Sequence, residues 1–230
     1  MKVAAKLEAI QQQIADACFR AHRNPEEVRL IAVTKYVSTK RAQEALDAGV
    51  TDLGENRDDG LLEKWNLLKG KPVWHFIGSL QTRKVKNIID KVDYIHSLDR
   101  ISLAEEIQKR SPKKIKCLVQ VNVSGEESKH GLHPDEVIPF IEQLQAFDKI
   151  VIAGLMTMAP LTNDEEVLRN CFRHLRELRE QVRARQFAAA PCDHLSMGMS
   201  NDFHIAVEEG ATMVRIGTAL VGEDEERVAK

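Results

Sequence analysis

The chain has 230 residues, of which 43% are apolar and 30% are charged. This composition supports a globular core and argues against a disordered chain. Lys and Arg total 33 against 35 Asp and Glu, so the net charge of −2 gives no general attraction to nucleic acid or to an anionic membrane. No apolar run reaches the length of a membrane span, and Met1–Arg20 is too polar for a secretory signal.

The cysteines and histidines indicate neither a disulfide framework nor a metal site. His130 and His133 have no third ligand within sequence reach, so we expect no bound metal. The basic run Lys109–Lys116 lacks interleaved aromatic residues, which favours a solvated helix end over a nucleic-acid site. Four widely spaced cysteines are expected to be free and buried in a reducing cytoplasm: Cys18, Cys117, Cys171 and Cys192.

The order of elements begins with a helix and continues as a strand–helix alternation. Residues 1–24 are predicted to form a helix packed on the rest of the chain, because apolar residues recur at helical spacing until Asn24-Pro25. The clearest later helix is Asp164–Arg185, which is apolar on one face and covered by Arg and Glu on the other. Eight short β-rich runs are Leu30–Thr34, Asp52–Gly54, Val73–Ile77, Tyr94–Ser97, Ile115–Val123, Ile150–Met156, His194–Met197 and Thr212–Ile216.

This alternation predicts the α/β class. Strands that alternate with helices pair in parallel through right-handed crossovers, and nearly all-apolar strands are typical of burial on both faces. Eight units favour a single (β/α)8 TIM-type barrel with an additional N-terminal helix, as one domain over 1–230. An open doubly wound sheet is the alternative.

In such a barrel, chemistry collects at the carboxyl ends of the strands. Lys35 closes the first apolar run, which would place its amine in the barrel mouth, partly desolvated. An unprotonated amine can condense with an aldehyde. The alternative is a strand-end lysine that extends its amine into solvent.

The segments after the seventh and eighth runs predict an anion site. Ser196–Asp202 is a glycine-containing turn with hydroxyls, and Gly217-Thr218 opens the last helical stretch. Backbone N–H groups at this place commonly hold phosphate in these barrels. Simple helix capping by Ser200 and Thr218 is the alternative, and the two roles can coexist.

Arg215 lies inside the eighth run and points away from its apolar neighbours. A buried arginine needs an acceptor, which could be an acid of a neighbouring strand or the ring nitrogen of a ligand.

Seven motifs in order resemble the pyridoxal phosphate homeostasis proteins from about residue 5 to residue 222. They are Ala32-Val33-Thr34-Lys35, Gly54-Glu55-Asn56, His75-Phe76-Ile77-Gly78, Ser128-Lys129-His130-Gly131, Gly154-Leu155-Met156-Thr157-Met158, Leu195-Ser196-Met197-Gly198-Met199-Ser200 and Met213-Val214-Arg215-Ile216-Gly217-Thr218. The resemblance implies an alanine-racemase-like barrel that binds pyridoxal 5′-phosphate.

The resemblance also assigns roles to residues. Lys35 would form the Schiff base, Arg215 would face the pyridine nitrogen, and Asn56 and His75 would line the pocket. The phosphate would be held by Ser196, Ser200, Gly217 and Thr218, with the backbone N–H of Met197 or Gly198.

The chemistry of arginine favours storage of the cofactor over turnover. Arginine donates hydrogen bonds and stays charged, so a pyridine nitrogen beside it must accept and remain unprotonated. Such a ring is a poor electron sink. We therefore expect a non-catalytic protein of vitamin B6 homeostasis or delivery, with a pyridoxal-phosphate-dependent amino-acid racemase as the alternative. Racemases with this barrel carry a further β-domain that supplies a tyrosine, whereas this chain has only Tyr36 and Tyr94.

Further expectations concern partners and departures from the family pattern. Enzymes that lack their pyridoxal phosphate are candidate partners, and a monomer is expected. Lys129 is hypothesised to accept the aldehyde transiently during hand-off. Asp58-Asp59-Gly60 and His204 depart from the family pattern at helix starts, where they would affect local stability or a partner surface.

Overall fold

The computed structural model describes residues 2–126 and 129–222. Within them, eight parallel strands form a closed barrel in chain order. The pairing of β1 with β8 closes the barrel, with Ile31 opposite Arg215. The TIM-type prediction is therefore confirmed, and the open sheet is excluded. The strands are β1 Arg29–Val33, β2 Asp52–Glu55, β3 Val73–Phe76, β4 Tyr94–Leu98, β5 Ile115–Gln120, β6 Ile150–Met156, β7 His194–Met199 and β8 Met213–Ile216.

The helices of these described residues follow the strands as the alternation predicts. The long amphipathic helix α7 begins after Asp164, whose side chain accepts the backbone N–H groups of Glu166 and Val167. Two short 3-10 turns lie at Pro25–Glu27 and Thr82–Lys84. The helices are α1 Val3–Arg20, α2 Thr39–Asp47, α3 Asp58–Leu68, α4 Val85–Ile88, α5 Ile101–Arg110, α6 Pro134–Leu144, α7 Glu165–Ala184, α8 Phe203–Glu208 and α9 Thr218–Val221. None of these helices is long and apolar enough to cross a bilayer.

Strand β5 differs from its predicted extent. It ends at Gln120 rather than at Val123. Val121 instead forms an isolated bridge to Leu132, where the following loop returns to the barrel. The backbone N–H of Asn122 donates to Leu132 O, and that of Leu132 donates to Gln120 O. The loop thus takes over the hydrogen bonds that would have extended the strand.

The N-terminal helix α1 is fastened to the other end of the chain. Its apolar stripe from Val3 to Cys18 is buried, and it packs against α8 and α9. Arg23 follows the helix and donates to the carbonyl oxygens of Val207 (2.5 Å) and Ala211 (2.9 Å). The first and last units of the barrel are therefore held together from outside.

Two apolar layers position the site. The larger layer fills the space between the strands and the surrounding helices. The smaller one lies inside the barrel and consists of Ile31, Tyr94, Leu118, Ala153, Met156 and Met213. At Gly154, a Cβ atom would lie only 2.0 Å from His194 O, so β6 and β7 can approach at this point only without a side chain. The interior also holds buried polar side chains, among them His75, His96 and Ser196.

Candidate functional site

A cavity of about 430 Å³ opens at the carboxyl ends of the strands. This volume is within the range of small-molecule sites, about 300–1,000 Å³. A larger surface groove of about 720 Å³ runs beside α1 and α2, away from the strand ends. We place the site in the smaller cavity because polar groups from several strand ends converge there. Its wall is formed by Val33, Lys35, Asn56, Ile77, Gly78, Ser79, Gln120, Met158, Ala159, Pro160, Leu161, Met199, Ser200, Asn201, Asp202, Arg215, Gly217 and Thr218.

Lys35 lies in the turn that follows β1, and its side chain lines the cavity. It is exposed, which corrects the expectation of a partly desolvated amine. Its Nζ lies 5.7 Å from the centre of the Tyr36 ring. Tyr36 has a φ of 64°, a left-handed conformation that costs a non-glycine residue about 1–3 kcal/mol. The chain therefore turns sharply at the lysine and presents it to the mouth.

Two loops bring small polar groups to the opposite wall. Ser200, Gly217 and Thr218 all line the cavity, as the anion-site prediction requires. Asp202 closes the first loop, because its carboxylate accepts the backbone N–H of Met199 at 2.6 Å. Burial raises the pKa of Asp202, although this hydrogen bond and the charge of Arg215 oppose the rise.

Arg215 lies under the cavity and is almost fully buried. Its Nη1 donates to Ser196 Oγ at 2.6 Å and its Nη2 donates to Thr157 O at 2.9 Å. Burial lowers the pKa of Arg215 to about 10, so the side chain stays protonated at neutral pH. These two acceptors are a hydroxyl and a carbonyl oxygen. No carboxylate of residues 2–126 and 129–222 forms an ion pair with Arg215.

Four predicted residues lie outside the cavity wall. Ser196 is fully buried beneath Arg215, and His75 is fully buried inside the barrel. Met197 packs in the core between strands and helices, because it points to the opposite face from Ser196. Gly198 has a φ of 91° and brings β7 close to α8, since a Cβ there would lie 2.6 Å from Ala206 Cβ. The role of the Met197 or Gly198 backbone N–H in holding phosphate stays a prediction.

Several residues at the site were not predicted. Gln120 and Asp202 line the cavity, and His96 and Asp52 form hydrogen bonds below it. Alternation along the strands was a usable signal for the buried pair. Asp52 and His96 are polar residues within short apolar strands, and one face of each strand must point into the barrel.

A buried ion pair lies behind the wall formed by β1 and β2. Lys64 Nζ lies 2.9 Å from Glu55 Oε1 without the alignment of a hydrogen bond, and both side chains are buried. Thr34 Oγ1 donates to the same carboxylate oxygen at 2.7 Å. Thr34 immediately precedes Lys35, and Glu55 immediately precedes Asn56. The contacts of the Glu55 carboxylate therefore fix the two strand ends that carry these cavity residues.

Lys129 Nζ bonds to Glu126 Oε1 at 2.6 Å and lies outside the cavity wall, so its role in hand-off stays a prediction. Ser128 of the same motif lies outside the described residues.

Asp58 bonds to Lys84 at 2.5 Å and to Asn87 at 2.9 Å. This departure therefore ties α3 to the neighbouring turn and to α4.

The remaining departures are local contacts. Asp59 pairs with Arg57 at 2.9 Å on the exposed start of α3. His204 is half-buried, and its ring lies edge-on to Phe203 with ring centres 6.0 Å apart. None of these residues contributes to the cavity wall.

Comparisons with known proteins identify the family. Residues 5–225 match the family described as "Alanine racemase, N-terminal domain". A relative from Aquifex aeolicus, named "Pyridoxal phosphate homeostasis protein", is 43% identical over 97% of this chain and 99% of its own. The chain belongs to the pyridoxal phosphate homeostasis protein family.

Two solved structures extend the likeness to three dimensions. An unknown protein from Bifidobacterium adolescentis superposes with a TM-score of 0.90 at 35% identity, covering 95% of this chain and 94% of its own. PipY of Synechococcus elongatus, described with PLP bound, gives a TM-score of 0.82 at 30% identity. The match with PipY covers 96% of this chain and all of that one.

Proposed function

We propose that this protein binds pyridoxal 5′-phosphate in the cavity at the barrel mouth and serves in its homeostasis or delivery. The observation that carries this proposal is the convergence of Lys35, Arg215 and the two small-residue loops on one cavity. Each group matches one part of the ligand: an amine for the aldehyde, a fixed cation for the ring, and loops for the phosphate. The structure of PipY with PLP bound supports the same choice of ligand.

Lys35 would hold the cofactor covalently. Its amine would add to the aldehyde carbon and expel water, which forms a carbon–nitrogen double bond. The exposed position of Lys35 lets the amine reach a ligand that enters from solvent. The same exposure would let water return and release the cofactor, as delivery requires.

The phosphate would lie against Ser200, Gly217 and Thr218. Loops after the seventh and eighth strands are the usual phosphate site of this barrel, where backbone N–H groups and hydroxyls donate to oxygen. Arg215 would face the ring nitrogen and keep it unprotonated, because the arginine remains charged at neutral pH. The cofactor would then withdraw electrons only weakly.

The burial of Tyr94 removes one of the two tyrosines as an acid or base for racemisation. Tyr94 is buried inside the barrel, where its ring stacks on His75 at 4.6 Å and its hydroxyl accepts from Lys116 at 3.3 Å. It is therefore not exposed to a cavity ligand. We propose a non-catalytic monomer in the cytoplasm, with enzymes awaiting pyridoxal phosphate as its partners. Racemisation faster than that of a Lys35→Ala variant would contradict the non-catalytic part.

The covalent part is tested by absorbance followed by borohydride reduction and peptide mapping. The purified protein mixed with pyridoxal 5′-phosphate should become yellow, and reduction should fix the added mass on the peptide that contains Lys35. Lys35→Ala should lose the coloured band and the added mass. Lys40→Ala, an exposed lysine on α2, is the matched control and should retain both. A label that persists in Lys35→Ala would overturn the assignment.

A further inference from the structure

A continuous series of hydrogen bonds crosses the barrel interior below the cavity. Arg215 Nη1 lies 2.6 Å from Ser196 Oγ, and Ser196 Oγ lies 2.9 Å from His96 Nδ1. His96 Nε2 lies 2.9 Å from His75 Nδ1, and His75 Nε2 lies 2.8 Å from Asp52 Oδ1. We call these five residues the buried network. The contact between β4 and β7 spans the interior, because these strands are not neighbours in the barrel.

The two ends of the buried network fix the direction of every bond. Arginine can only donate, and an ionised carboxylate can only accept. With both imidazoles neutral, the bond that His75 donates to Asp52 leaves His96 Nδ1 as an acceptor, so Ser196 Oγ donates its proton there while it accepts from Arg215. His96 then donates from Nε2 to His75 Nδ1, and His75 donates from Nε2 to Asp52. This assignment satisfies all four imidazole nitrogens with both histidines neutral.

The surroundings favour these neutral histidines. Burial lowers the pKa of His96 well below its ordinary value, and the charges of His75, Arg215 and His194 act in the same direction. Burial also lowers the pKa of His75. Asp52 and Asp93 oppose that shift, and Arg29 adds to it.

Arg29 and Thr51 help to keep the Asp52 carboxylate ionised. Arg29 Nη1 donates to Asp52 Oδ1 at 3.1 Å, and Thr51 Oγ1 donates to Asp52 Oδ2 at 2.6 Å. Burial opposes ionisation of Asp52, but the hydrogen bonds from His75 and Thr51 and the charge of Arg29 outweigh it, so its pKa lies below the usual value. The Asp52 anion at one end and the Arg215 cation at the other therefore polarise all the hydrogen bonds of the network in the same direction.

We propose that His96 and His75 are positioning residues, which act through Ser196 to hold the Arg215 guanidinium in place under the cavity. Because the Ser196 proton is committed to His96, its oxygen can only accept from Arg215. Together with Thr157 O, it anchors two guanidinium nitrogens and fixes the plane of the group. Arg215 retains its proton, so the network orients the cation and does not carry protons to the site. This inference rests on the proposed function, in which Arg215 faces the ring of pyridoxal phosphate.

The first test replaces the central histidine in two ways. His96→Phe removes both hydrogen bonds, whereas His96→Gln can donate through its amide nitrogen and accept through its carbonyl oxygen. Added pyridoxal 5′-phosphate should bind His96→Phe about tenfold more weakly, with a shifted absorption band, and His96→Gln should recover much of both. His194→Phe is the matched control, since His194 also lies on the barrel but bonds to Thr212 rather than to the network. Equal affinity and an unchanged band in a folded His96→Phe would overturn the proposal.

A double-mutant cycle separates positioning from general packing. If His96 acts through Ser196, then His96→Phe should add little once Ser196→Ala has already cut the network. A further loss of about tenfold in the double variant would show that His96 acts by another route. If His96→Phe does not fold, the same cycle with His96→Ala and Ser196→Ala decides, because alanine removes both hydrogen bonds of His96 without overfilling the interior.

The second test does not depend on the cofactor. Nitrogen-15 NMR of the protein without added ligand should show His75 and His96 as neutral Nε2–H tautomers near neutral pH. A charged imidazole or an Nδ1–H tautomer at either residue would overturn the assigned direction. A wild-type protein that shows these tautomers but takes up no pyridoxal 5′-phosphate would refute the proposed function and the ligand role, while the network itself would stand.

Discussion

The barrel interior and the barrel mouth treat polar side chains in opposite ways. In the interior, His75 and His96 are fully buried and each ring nitrogen has a partner. At the mouth, Lys35 and Thr218 are exposed and line an open cavity. Buried polar groups are costly unless they are satisfied, so the interior network has to be complete when the chain folds. The hydrogen-bond donors at the mouth can remain available to an incoming ligand.

This difference predicts that stability and ligand binding respond to different substitutions. Changes in the interior should lower the free energy of unfolding, because they leave buried groups unpaired or displace strands. Changes at the mouth should alter binding and lower the free energy of unfolding less than changes in the interior do. Two glycines, one in each region, give the sharpest contrast.

The largest effect on stability is expected for Gly154→Ala. A Cβ at this position would lie 2.0 Å from His194 O, and neither β6 nor β7 can move without displacing the barrel. We expect a loss of about 3 kcal/mol or more, measured by denaturant unfolding. Gly70→Ala is the control, because no atom lies within 4 Å of a Cβ there.

Gly78→Ala is the corresponding change at the mouth. Its Cβ would lie 2.2 Å from Asn56 O, which forces the end of β2 to move. Because the strand end leads into a loop, we expect a smaller loss of about 1–2 kcal/mol but weaker binding of pyridoxal 5′-phosphate. A stability loss equal to that of Gly154→Ala would contradict the distinction between the two regions.

Asp52→Asn should be the most damaging change to stability after Gly154→Ala. It removes the negative end of the buried network and leaves Arg29 without its partner, which should cost about 2–3 kcal/mol. Denaturant unfolding near neutral pH measures the loss. Asp90→Asn is the control, since the Asp90 side chain is half-exposed and pairs with its neighbour Lys91. Similar stabilities of the two variants would show that the network contributes little to folding.

The sequence was sufficient to predict the barrel but not the buried network. Strands buried on both faces are continuously apolar, and their alternation with amphipathic helices such as α7 identifies the eight units. Lys35 and Thr218 could be found because they follow strands directly. The meeting of His96 with Ser196 depends on how the barrel closes, which brings together residues 100 positions apart. Nothing local in a five-residue strand specifies that partner.

The same limit explains the misplaced phosphate residue. Ser196 lies in a hydroxyl-rich segment that indicated an anion site, but strand alternation turns it into the interior, whereas Ser200 follows the strand and reaches the cavity. Sequence proximity grouped the two serines, but Ser196 lies within β7 against Arg215 and His96, whereas Ser200 lies beyond the end of the strand.

The buried histidines should give the protein an acid-sensitive stability. Their pKa values are lowered in the folded state, so below about pH 6.5 the unfolded chain binds protons that the folded chain does not. Stability should therefore be complete above that pH and fall below it, by up to about 1.4 kcal/mol per pH unit for each histidine. Unfolding free energies measured between pH 7 and about pH 5 should show a shallower slope in His96→Gln. An equal slope would indicate that His96 is protonated in the folded protein.

The smallest effect on stability is expected at the mouth, for Thr218→Val. The Thr218 side chain is exposed, so its hydroxyl can be lost with a change within about 0.5 kcal/mol. If the hydroxyl donates to the phosphate, affinity for pyridoxal 5′-phosphate should fall about tenfold, because a hydrogen bond to a charged group contributes about 1.5–3 kcal/mol. Thr218→Ser keeps the hydroxyl and should bind as the wild type does. Pyridoxal without its phosphate should bind Thr218→Val and the wild type equally well, and a difference there would place the hydroxyl against another part of the ligand.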